Sequence, residues 1–457
     1  MTEAIRTTLR DNKAARWTAL GIISITMFAG YFFTDIMSPL KPMLEAQLKW
    51  SSQDYGFFTS AYGWLNVFFG MLIIGGIILD KMGVRFTGVM AASIMVIGAS
   101  IKYWAISTTF PENAMLFGSK SQVIYAAGGF AIFGVGVEVA GITVSKIIVK
   151  WFKGYEMALA MGLQIAVARI GTLLAMAAPV PLAEAFNSIS APLAVCLVLL
   201  VIGLLTFFIY IAMDKKLDAS VKQNNAASSE EGFRLKDILF IIKNRGFWII
   251  GILCVLFYSA VFPFLKYAAD LMVNKFGLDQ KVAGIIPSLL PLGTLLLTPL
   301  FGGIYDKKGK GATIMIIGSG LLILVHGIFS IPGFSNWFLA SVLVIILGVA
   351  LSLVPSAMWP SVPKIIPEKQ LGTAYSLIFW IQNWGLMGVP YLIGWVLDKY
   401  CITGTVVIDG ATKPTYNYTL PMIIFTCFGI LAVLFSLWLK AEDRKKGYGL
   451  ELPNIKK

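Results

Sequence analysis

Long apolar stretches recur along the whole chain, and they constrain its fold more than any other feature. A helix needs about 20 apolar residues to cross the hydrocarbon core of a bilayer. In lipid the backbone must satisfy its own hydrogen bonds, which favours helices over open sheets. Only 13% of the residues are charged, whereas soluble domains carry about 25%. The sequence therefore predicts an all-α membrane protein that is surrounded mainly by the lipid bilayer.

The apolar stretches number twelve, and the long polar segment 214–246 divides them into two sets of six. We predict a first bundle over 1–213, a cytoplasmic linker over 214–246, a second bundle over 247–440 and a cytoplasmic tail over 441–457. Within the linker, the pattern of 234–243 predicts a short interfacial amphipathic helix, and the middle is predicted to be flexible. The predicted spans are 17–40, 55–79, 84–106, 121–149, 155–182, 190–213, 247–274, 281–305, 311–331, 337–364, 370–397 and 418–440.

Basic residues are distributed unevenly between the two sides of the predicted membrane. Segments on the side of the termini hold 27 of the 37 Lys and Arg residues, and the opposite loops hold seven. Because positive charge accumulates in cytoplasmic loops, both termini are predicted to be cytoplasmic. The same rule accounts for the net charge of +13, so we predict no nucleic-acid partner. The first apolar stretch is too long for a secretory signal peptide and is assigned as a membrane helix.

Cysteine and histidine are too scattered for a metal centre. The cysteines are Cys196, Cys254, Cys401 and Cys427, and the only histidine, His326, is assigned a structural role in predicted helix 9. Without a CxxC motif or a Cys/His cluster, we predict no metal site, no disulfide framework and no cofactor. A membrane enzyme needs a nucleophile with its base or a metal cluster, and the sequence offers neither.

One loop motif occurs twice, after the second and after the eighth predicted helix. The spacing G-x-x-x-D-K-x-G is found at 76–83 and at 302–309, about half the chain later. Such a displacement indicates two halves that are related as parallel repeats. The motif resembles the cytoplasmic loop signature of the major facilitator superfamily. The resemblance implies a secondary transporter with the major facilitator fold, twelve transmembrane helices in two pseudo-symmetric six-helix bundles. We assign a gating role to the charged residues of the two loops, Asp80, Lys81, Arg85, Asp306, Lys307 and Lys310.

Ionisable residues inside the predicted spans are costly, so each is a candidate for function. At a rise of about 1.5 Å per residue, Glu138 lies roughly 18 Å and Arg169 roughly 21 Å from the predicted cytoplasmic ends of two consecutive helices. This acid and base therefore meet near the middle of the bilayer, where they line a substrate site or form a buried ion pair that only fixes the packing. In the second half we expect polar and aromatic residues at the same cavity, namely Tyr258, Trp359, Gln382 and Asn383.

Asp35 and Lys266 lie near the outer ends of predicted helices 1 and 7, about 27 and 28 Å from the cytoplasmic side. These helices are the first of each repeat, so we predict that the two charges pair when the outer cavity closes. Two alternatives remain open. In the first, each side chain extends to the interface on its own. In the second, Lys266 pairs with Asp270, one turn further along the same helix, instead of with Asp35. Lys102 lies near an end of helix 3, and we predict that its amine extends to the interface.

Several further stretches are more specific than the loop motif. They are WFKG at 151–154, GLQ at 162–164, ARIG at 168–171, AVFPF at 260–264, LGTAY at 371–375 and IQN at 381–383. With them the chain resembles the major facilitator superfamily domain-containing protein 1 branch, which includes an animal lysosomal dipeptide uniporter. The resemblance implies uniport of dipeptides, with Glu138 and Arg169 in the cavity. The chain departs from this branch at Lys266 and Asp270. It also lacks a dileucine-type lysosomal sorting signal, so we expect a bacterial inner (cytoplasmic) membrane.

The charges of the predicted cavity suit a zwitterionic substrate. A dipeptide presents an ammonium to Glu138 and a carboxylate to Arg169, whose guanidinium can bind it in bidentate fashion. Amide and phenol groups are candidates for contacts to the peptide bond, namely Gln164, Tyr258, Gln382 and Asn383. We therefore predict a monomeric secondary transporter of dipeptides or other small zwitterionic solutes. The alternatives are a proton-coupled carrier of another small organic anion, which uses Arg169 alone, and a transporter-like sensor.

The duplicated loop generates a prediction about gating. We expect Asp80→Asn to change the rate of exchange between the inward-facing and outward-facing states more than it changes equilibrium substrate affinity, because the loop lies far from the predicted substrate site. Single-molecule measurements of exchange, set beside equilibrium binding, test this expectation. A large loss of affinity with unchanged exchange would contradict it.

Overall fold

The computed structural model describes residues 9–111, 114–152, 155–222, 235–367, 370–408 and 411–453. They are almost entirely helical, with two 3-10 turns at Leu9–Asp11 and Ala61–Gly63. The α-helices of the first half are α1 (Lys13–Asp35), α2 (Lys41–Gln47), α3 (Ser52–Ser60), α4 (Trp64–Phe68), α5 (Met71–Ser107), α6 (Ser121–Phe152), α7 (Met157–Ala177), α8 (Pro179–Ala185) and α9 (Ala191–Lys222).

The second half is built in the same way. Its α-helices are α10 (Leu235–Ile242), α11 (Arg245–Phe276), α12 (Gln280–Ala283), α13 (Ile285–Lys308), α14 (Gly311–Ser330), α15 (Trp337–Ile365), α16 (Leu371–Tyr400) and α17 (Thr419–Lys446). Two antiparallel hairpins connect helices: β1 (Met115–Leu116) with β2 (Ser119–Lys120), and β3 (Ile402–Ile408) with β4 (Ala411–Tyr416).

Ten helices of the described residues are long and apolar enough to cross a membrane. One of them, α5, joins two helical segments at Gly83, where the backbone is non-helical with a φ of 77°. The 30-residue α16, at the predicted span 370–397, is not among the ten. The all-helical membrane fold is thus confirmed, and the number of twelve spans stays a prediction.

The structure divides three of the predicted spans. The predicted helix 55–79 runs as α3, a 3-10 turn and α4 before α5 begins. The predicted helix 155–182 becomes α7 and α8, because Pro179 has no N–H with which to continue the hydrogen bonding of α7. The predicted helix 281–305 begins as the short α12 and continues as α13. Hydropathy gives the length of an apolar stretch but does not reveal such breaks.

The predicted linker is partly helical. Helix α9 continues to Lys222, beyond the predicted end at 213, and α10 occupies the place of the predicted interfacial helix. The middle of the linker, 223–234, which we predicted to be flexible, lies outside the described residues. The division of the chain into bundles, linker and tail stays a prediction.

The helix directions define two faces of the molecule. Helices α1 and α11 begin, and α9 and α17 end, at what we call the terminal face; the opposite side is the far face. Leu9 N donates to Ser220 Oγ at 3.3 Å on the terminal face. On the far face the two halves meet, with α2 on α11, α3 on α16 and α7 on α13. There the backbone N–H groups of Ser52 and Gln53 donate to the carboxylate of Asp398, at 3.0 and 2.5 Å.

Two glycines allow α3 and α16 to touch backbone to backbone on the far face. A Cβ on Gly394 would lie 2.3 Å from Ser52 O and 3.0 Å from Gly56 Cα. A Cβ on Gly56 would lie 2.8 Å from Pro390 O. Small residues permit this kind of close helix contact in membranes. The seam between the halves therefore has no room for a side chain at either position.

We expect Gly394→Ala to wedge α16 away from α3 and to favour a state that is open at the far face. Overpacking costs about 1–3 kcal/mol, which corresponds to roughly a 5- to 150-fold change in the ratio of two states. The distance between spin labels at the exposed positions Gln53 and Lys399 measures the change. Gly388→Ala is the matched control, because nothing lies within 4 Å of its added Cβ on the same helix. Identical distance distributions for the two variants would show that the seam does not control opening.

Candidate functional site

A cavity of about 440 Å³ lies between the two halves. Its lining extends from Thr34 and Lys266, toward the far face, to Ile148 and Met161, near the terminal-face ends of α6 and α7. The fold places all the residues that we predicted for a substrate site in this lining, namely Glu138, Gln164, Arg169, Tyr258, Trp359, Gln382 and Asn383. Their role in binding stays a prediction.

Glu138 and Arg169 contribute opposite charges to the cavity from α6 and α7. The Tyr62 hydroxyl donates to Glu138 Oε1 at 2.9 Å. The Arg169 guanidinium carbon lies 5.8 Å from the ring centroids of both Tyr31 and Phe262. Among the described residues, no ion pair shorter than 4.0 Å involves either charge. The alternative of a direct buried ion pair between them is therefore not what the structure contains, and both charged groups line the cavity separately.

The wall of the second half is aromatic and uncharged around Trp359. Its indole Nε1 donates to the Tyr258 hydroxyl at 3.2 Å, and its ring stacks on Phe379 with centroids 4.9 Å apart. Asn383 donates from Nδ2 to Phe379 O at 2.9 Å. Within the described chain, the buried Asn383 Oδ1 has no hydrogen-bond partner. Because a buried acceptor without a donor is costly, this oxygen is suited to an N–H group of a ligand.

Sequence reasoning missed several hydroxyl groups on the first-half wall, namely those of Tyr31, Thr34, Thr59 and Tyr62. Threonines inside membrane helices often bond to their own helix, as Thr34 Oγ1 does to Gly30 O at 2.8 Å, so their presence alone carries little information. Tyr62 did carry a signal. A buried tyrosine hydroxyl usually has a hydrogen-bond partner, and here the partner is a cavity carboxylate.

Asp35 and Lys266 form an ion pair that joins α1 to α11 across the two halves. Lys266 Nζ lies 2.5 Å from Asp35 Oδ1 and also donates to Thr34 O at 2.8 Å. The two side chains are 7% and 12% exposed, respectively, so neither extends independently to the interface. The structure thus contains the contact that the helix depths predicted. Its role in gating stays a prediction.

Asp270 belongs to a separate buried group on the far face. Lys41 Nζ lies 2.7 Å from Asp270 Oδ2 and 2.6 Å from Glu45 Oε1, and all three side chains are fully buried. The Tyr418 hydroxyl also donates to Asp270. The alternative pairing of Asp270 with Lys266 is therefore wrong, because α2 folds back and brings Lys41 to this carboxylate.

The duplicated loops lie on the terminal face, where charged residues of the first loop contact their own half. Lys146 Nζ donates to Asp80 Oδ1 at 2.7 Å. Arg85 pairs with Asp214 of α9 at 3.0 Å and also with Asp218. The remaining residues that we assigned to a gate are half-buried or exposed on this face: Lys81, Asp306, Lys307 and Lys310. These positions suit a gate, and that role stays a prediction.

Two other intramembrane residues are fully buried. Lys102 does not extend to the interface, so that prediction was wrong. Depth along a helix does not give the direction of a side chain, and the Lys102 amine points inward to Phe33 O. His326 Nε2 lies 3.0 Å from Ala260 O in the core of the second half. In the described part of the chain, no group of three His, Cys, Asp or Glu side chains is arranged to hold a metal ion.

Known proteins resemble the chain along most of its length. The sequence profile of the Major Facilitator Superfamily matches residues 23–390. The lysosomal dipeptide transporter MFSD1 of Homo sapiens is 26% identical over 404 residues, which cover 84% of this chain and 81% of the relative. The hexuronate transporter of Escherichia coli (strain K12) is 22% identical over 457 residues, which cover 95% of this chain and 96% of the relative.

Solved transporter structures share the fold. The nucleoside transporter NupG superimposes with a TM-score of 0.67 at 16% identity, covering 93% of this chain and 98% of NupG. The xylose transporter XylE from E. coli, in a partially occluded inward-open conformation, gives a TM-score of 0.63 at 15% identity, covering 93% of this chain and 97% of XylE. Identities this low show the fold alone.

The Asp35–Lys266 pair generates a prediction about closure. We expect Asp35→Lys and Lys266→Asp each to favour a state open at the far face, and the double exchange to restore closure. Removing one partner of a buried pair costs about 3–5 kcal/mol, because it leaves the other charge uncompensated. Spin-label distances between Gln53 and Lys399 report the change. If the double variant stays open at the far face, the pair has no role in closure.

A control for this exchange is available on the same face. Lys281 and Glu184 also pair across the halves, at 2.9 Å, but their side chains are 61% and 39% exposed. Exposed pairs contribute only about 0–1 kcal/mol. Lys281→Asp is therefore expected to leave the distances close to those of the unmodified protein.

Proposed function

Because this chain belongs to the Major Facilitator Superfamily, we propose that its cavity carries dipeptides and other short zwitterionic peptides across a membrane. The chain is a multi-pass membrane transporter and not an enzyme. The observation that carries the proposal is the separation of Glu138 and Arg169, two opposite charges in one cavity without a direct bond to each other. The similarity to a lysosomal dipeptide transporter supports the same substrate class.

In this proposal each end of the peptide has its own partner. The peptide ammonium binds the Glu138 carboxylate, which Tyr62 already orients through a 2.9 Å hydrogen bond. The peptide carboxylate binds the Arg169 guanidinium, whose planar fork matches it in bidentate fashion. The Arg169 guanidinium carbon lies 5.8 Å from the ring centroids of Tyr31 and Phe262, one from each half, so a ligand bound there lies near both halves.

The second half of the chain then recognises the middle of the peptide. Asn383 Oδ1 is a buried acceptor that a peptide N–H can satisfy. The rings of Tyr258, Trp359 and Phe379 present apolar area to the variable side chains. Large apolar surface with few polar groups gives affinity without strict choice of side chain. We therefore propose recognition of the peptide termini, with broad tolerance between them.

Alternating access follows from the position of the cross-half contacts. Two buried ion pairs, Lys266 with Asp35 and Lys41 with Asp270, join the halves on the far face. The cavity lining continues instead toward the terminal face. In our proposal the substrate enters from the far face after these pairs part, and leaves on the terminal face after they form again. The predicted uniport, monomeric state and inner-membrane location with cytoplasmic termini belong to the same proposal.

A carrier of organic anions is the second candidate, and the similarity to a hexuronate transporter favours it. Such a substrate needs Arg169 but has no ammonium for Glu138. The Glu138 carboxylate then repels the anion and weakens binding. Glu138 is therefore the residue that separates the two candidates.

We expect Glu138→Gln to weaken dipeptide binding about 10- to 100-fold, because a hydrogen bond to a charged group contributes about 1.5–3 kcal/mol. The same variant should bind an N-acetylated dipeptide as the unmodified protein does, since that ligand has no ammonium. Arg169→Ala should weaken binding through the other end of the peptide. It should therefore bind a dipeptide and its C-terminal amide equally well. Binding measured by calorimetry on purified protein gives these ratios.

Glu156→Gln is the matched control, because Glu156 is a carboxylate of the same half that pairs with Arg16 outside the cavity. It is expected to bind every ligand normally. Free amino acids and hexuronate, measured beside the peptides, decide between the candidates. Tighter binding of hexuronate than of any dipeptide by the unmodified protein would favour the anion carrier and contradict the peptide proposal.

A further inference from the structure

The cavity continues beyond Glu138 toward the terminal face, into a part of its lining that the peptide site described above does not use. Helix α6 ends at the terminal face, and at a rise of about 1.5 Å per residue Gly141 and Ile142 lie about 4.5 and 6 Å beyond Glu138 along its axis. Met161 and Ile165 of α7 line the cavity on the same side. Glu138 therefore has an apolar space next to it.

This space, which we call the terminal-side pocket, is formed by residues of the first half. They come from α1, α5, α6 and α7, and they are Met27, Leu72, Gly141, Ile142, Met161 and Ile165. Ser145 lies one turn beyond Gly141, but its hydroxyl donates to Gly141 O at 3.0 Å and is thus bound within α6. The charged residues of the described lining lie at the rim of the pocket or toward the far face. The pocket is therefore apolar apart from the amide of Gln164.

The missing side chain of Gly141 gives the pocket its depth. Gly136 of the same helix serves close packing, because a Cβ there would lie 2.6 Å from Met95 Cγ. A Cβ on Gly141, in contrast, would approach no described atom outside its own helix more closely than Met27 Cε, at 3.9 Å. That distance is an ordinary van der Waals contact. Helix packing therefore does not require a glycine at position 141, and what the glycine provides is open space in the cavity.

We infer that the side chain of the peptide's N-terminal residue occupies the terminal-side pocket, and that Gly141 sets the largest side chain that fits there. This inference rests on the proposed function, in which the Glu138 carboxylate binds the peptide ammonium. The ammonium and the side chain of an N-terminal residue are attached to the same carbon atom. The side chain of a peptide held at Glu138 therefore begins beside this carboxylate, and the pocket is the adjoining apolar space.

The chemistry of the pocket suits a bulky apolar side chain. Methionine side chains are flexible and polarisable, so Met27 and Met161 can adapt to aliphatic and aromatic groups of different shapes. Burying such a group removes apolar surface from water, and the gain in binding free energy increases with the buried area. The preferred substrates are therefore dipeptides whose first residue is large and apolar, such as leucine, methionine or phenylalanine.

The side chain of the C-terminal residue belongs to a different wall. The Arg169 guanidinium carbon, to which we assign the peptide carboxylate, lies 5.8 Å from the ring centroid of Phe262. The Phe262 ring stacks on that of Tyr258, with centroids 5.4 Å apart. A side chain next to the carboxylate therefore meets the aromatic rings of the second half. Because the two side chains contact different residues, their contributions to binding can be measured separately.

The test fills the pocket and compares two isomeric peptides. In a helix a leucine side chain points back toward the N-terminus, which in α6 is the direction of Glu138, so Gly141→Leu places its new side chain in the pocket. We expect this variant to bind phenylalanyl-glycine about 10- to 100-fold more weakly than the unmodified protein does, because the phenylalanine side chain is no longer buried. Its affinities for glycyl-phenylalanine and glycyl-glycine should stay unchanged. Calorimetry on purified protein measures all three.

Gly128→Leu is the matched control on the same helix. Gly128 is not part of the cavity lining, and nothing lies within 4 Å of an added Cβ there. This variant is expected to bind the three peptides as the unmodified protein does. Glycyl-glycine also serves as a folding control, because it needs the two charged groups but leaves both side-chain spaces empty.

A second variant covers the case in which Gly141→Leu does not fold. Ile142→Ala removes part of the pocket wall instead of filling the space. It should weaken binding of phenylalanyl-glycine about 3- to 10-fold, because less apolar surface is buried, and it should leave glycyl-phenylalanine unaffected.

The outcomes separate this inference from the peptide proposal. Selective loss of phenylalanyl-glycine in these variants supports both. If the unmodified protein binds all three dipeptides but the variants bind phenylalanyl-glycine normally, or lose glycyl-phenylalanine equally, the pocket assignment is overturned and the peptide substrate is kept. If the unmodified protein binds no dipeptide, the peptide proposal fails and the pocket assignment fails with it.

Discussion

The cost of a charge in hydrocarbon organises this molecule. Every ionisable side chain in a membrane segment must meet an opposite charge, a polar backbone group or a water-filled cavity. Lys266 meets Asp35, Asp270 meets Lys41, and the charge of Arg169 faces the cavity. The two ion pairs join different halves of the chain, so the contacts that make the buried charges tolerable are also the ones to which we assign closure of the far face. In the proposed alternating access, each opening must therefore provide new surroundings for these four charges.

The two halves contribute differently to the cavity, although their loop motifs indicate a common origin. The first half supplies an acid and a base at Glu138 and Arg169. The second supplies the aromatic groups around Trp359 and an unpaired amide oxygen at Asn383. A ligand with charged ends and a variable middle matches this division, because each half can recognise a different part of it. In the proposed function, the two halves close on the ligand from opposite sides, so binding stabilises the closed cavity.

Helix depth was enough to predict much of the site from the sequence. Counting residues at about 1.5 Å each placed Glu138 beside Arg169 in depth and Asp35 beside Lys266, and the fold brings both sets together. Depth carries no information about rotation around the helix axis, which is why Lys102 was expected at the interface but lies in the interior. Nor does it reveal loops that fold back, so the capture of Asp270 by Lys41 was not foreseen. The breaks in the predicted spans depend on single residues such as Pro179. A hydropathy average over about 20 residues does not detect the effect of one residue.

The buried group of Lys41, Glu45 and Asp270 has a thermal consequence. Hydration of charged groups carries a strongly negative entropy, so water becomes a poorer competitor for buried ions as temperature rises. Parting these ions exposes them to water, which makes opening of the far face relatively easier in the cold and harder in the heat. The glycine contacts between α3 and α16 have no such ionic hydration to recover; the carboxylate beside them, Asp398, accepts from two backbone N–H groups of α3. In the proposed gating, warming therefore favours the closed far face through these ions, and temperature shifts the balance between the two states.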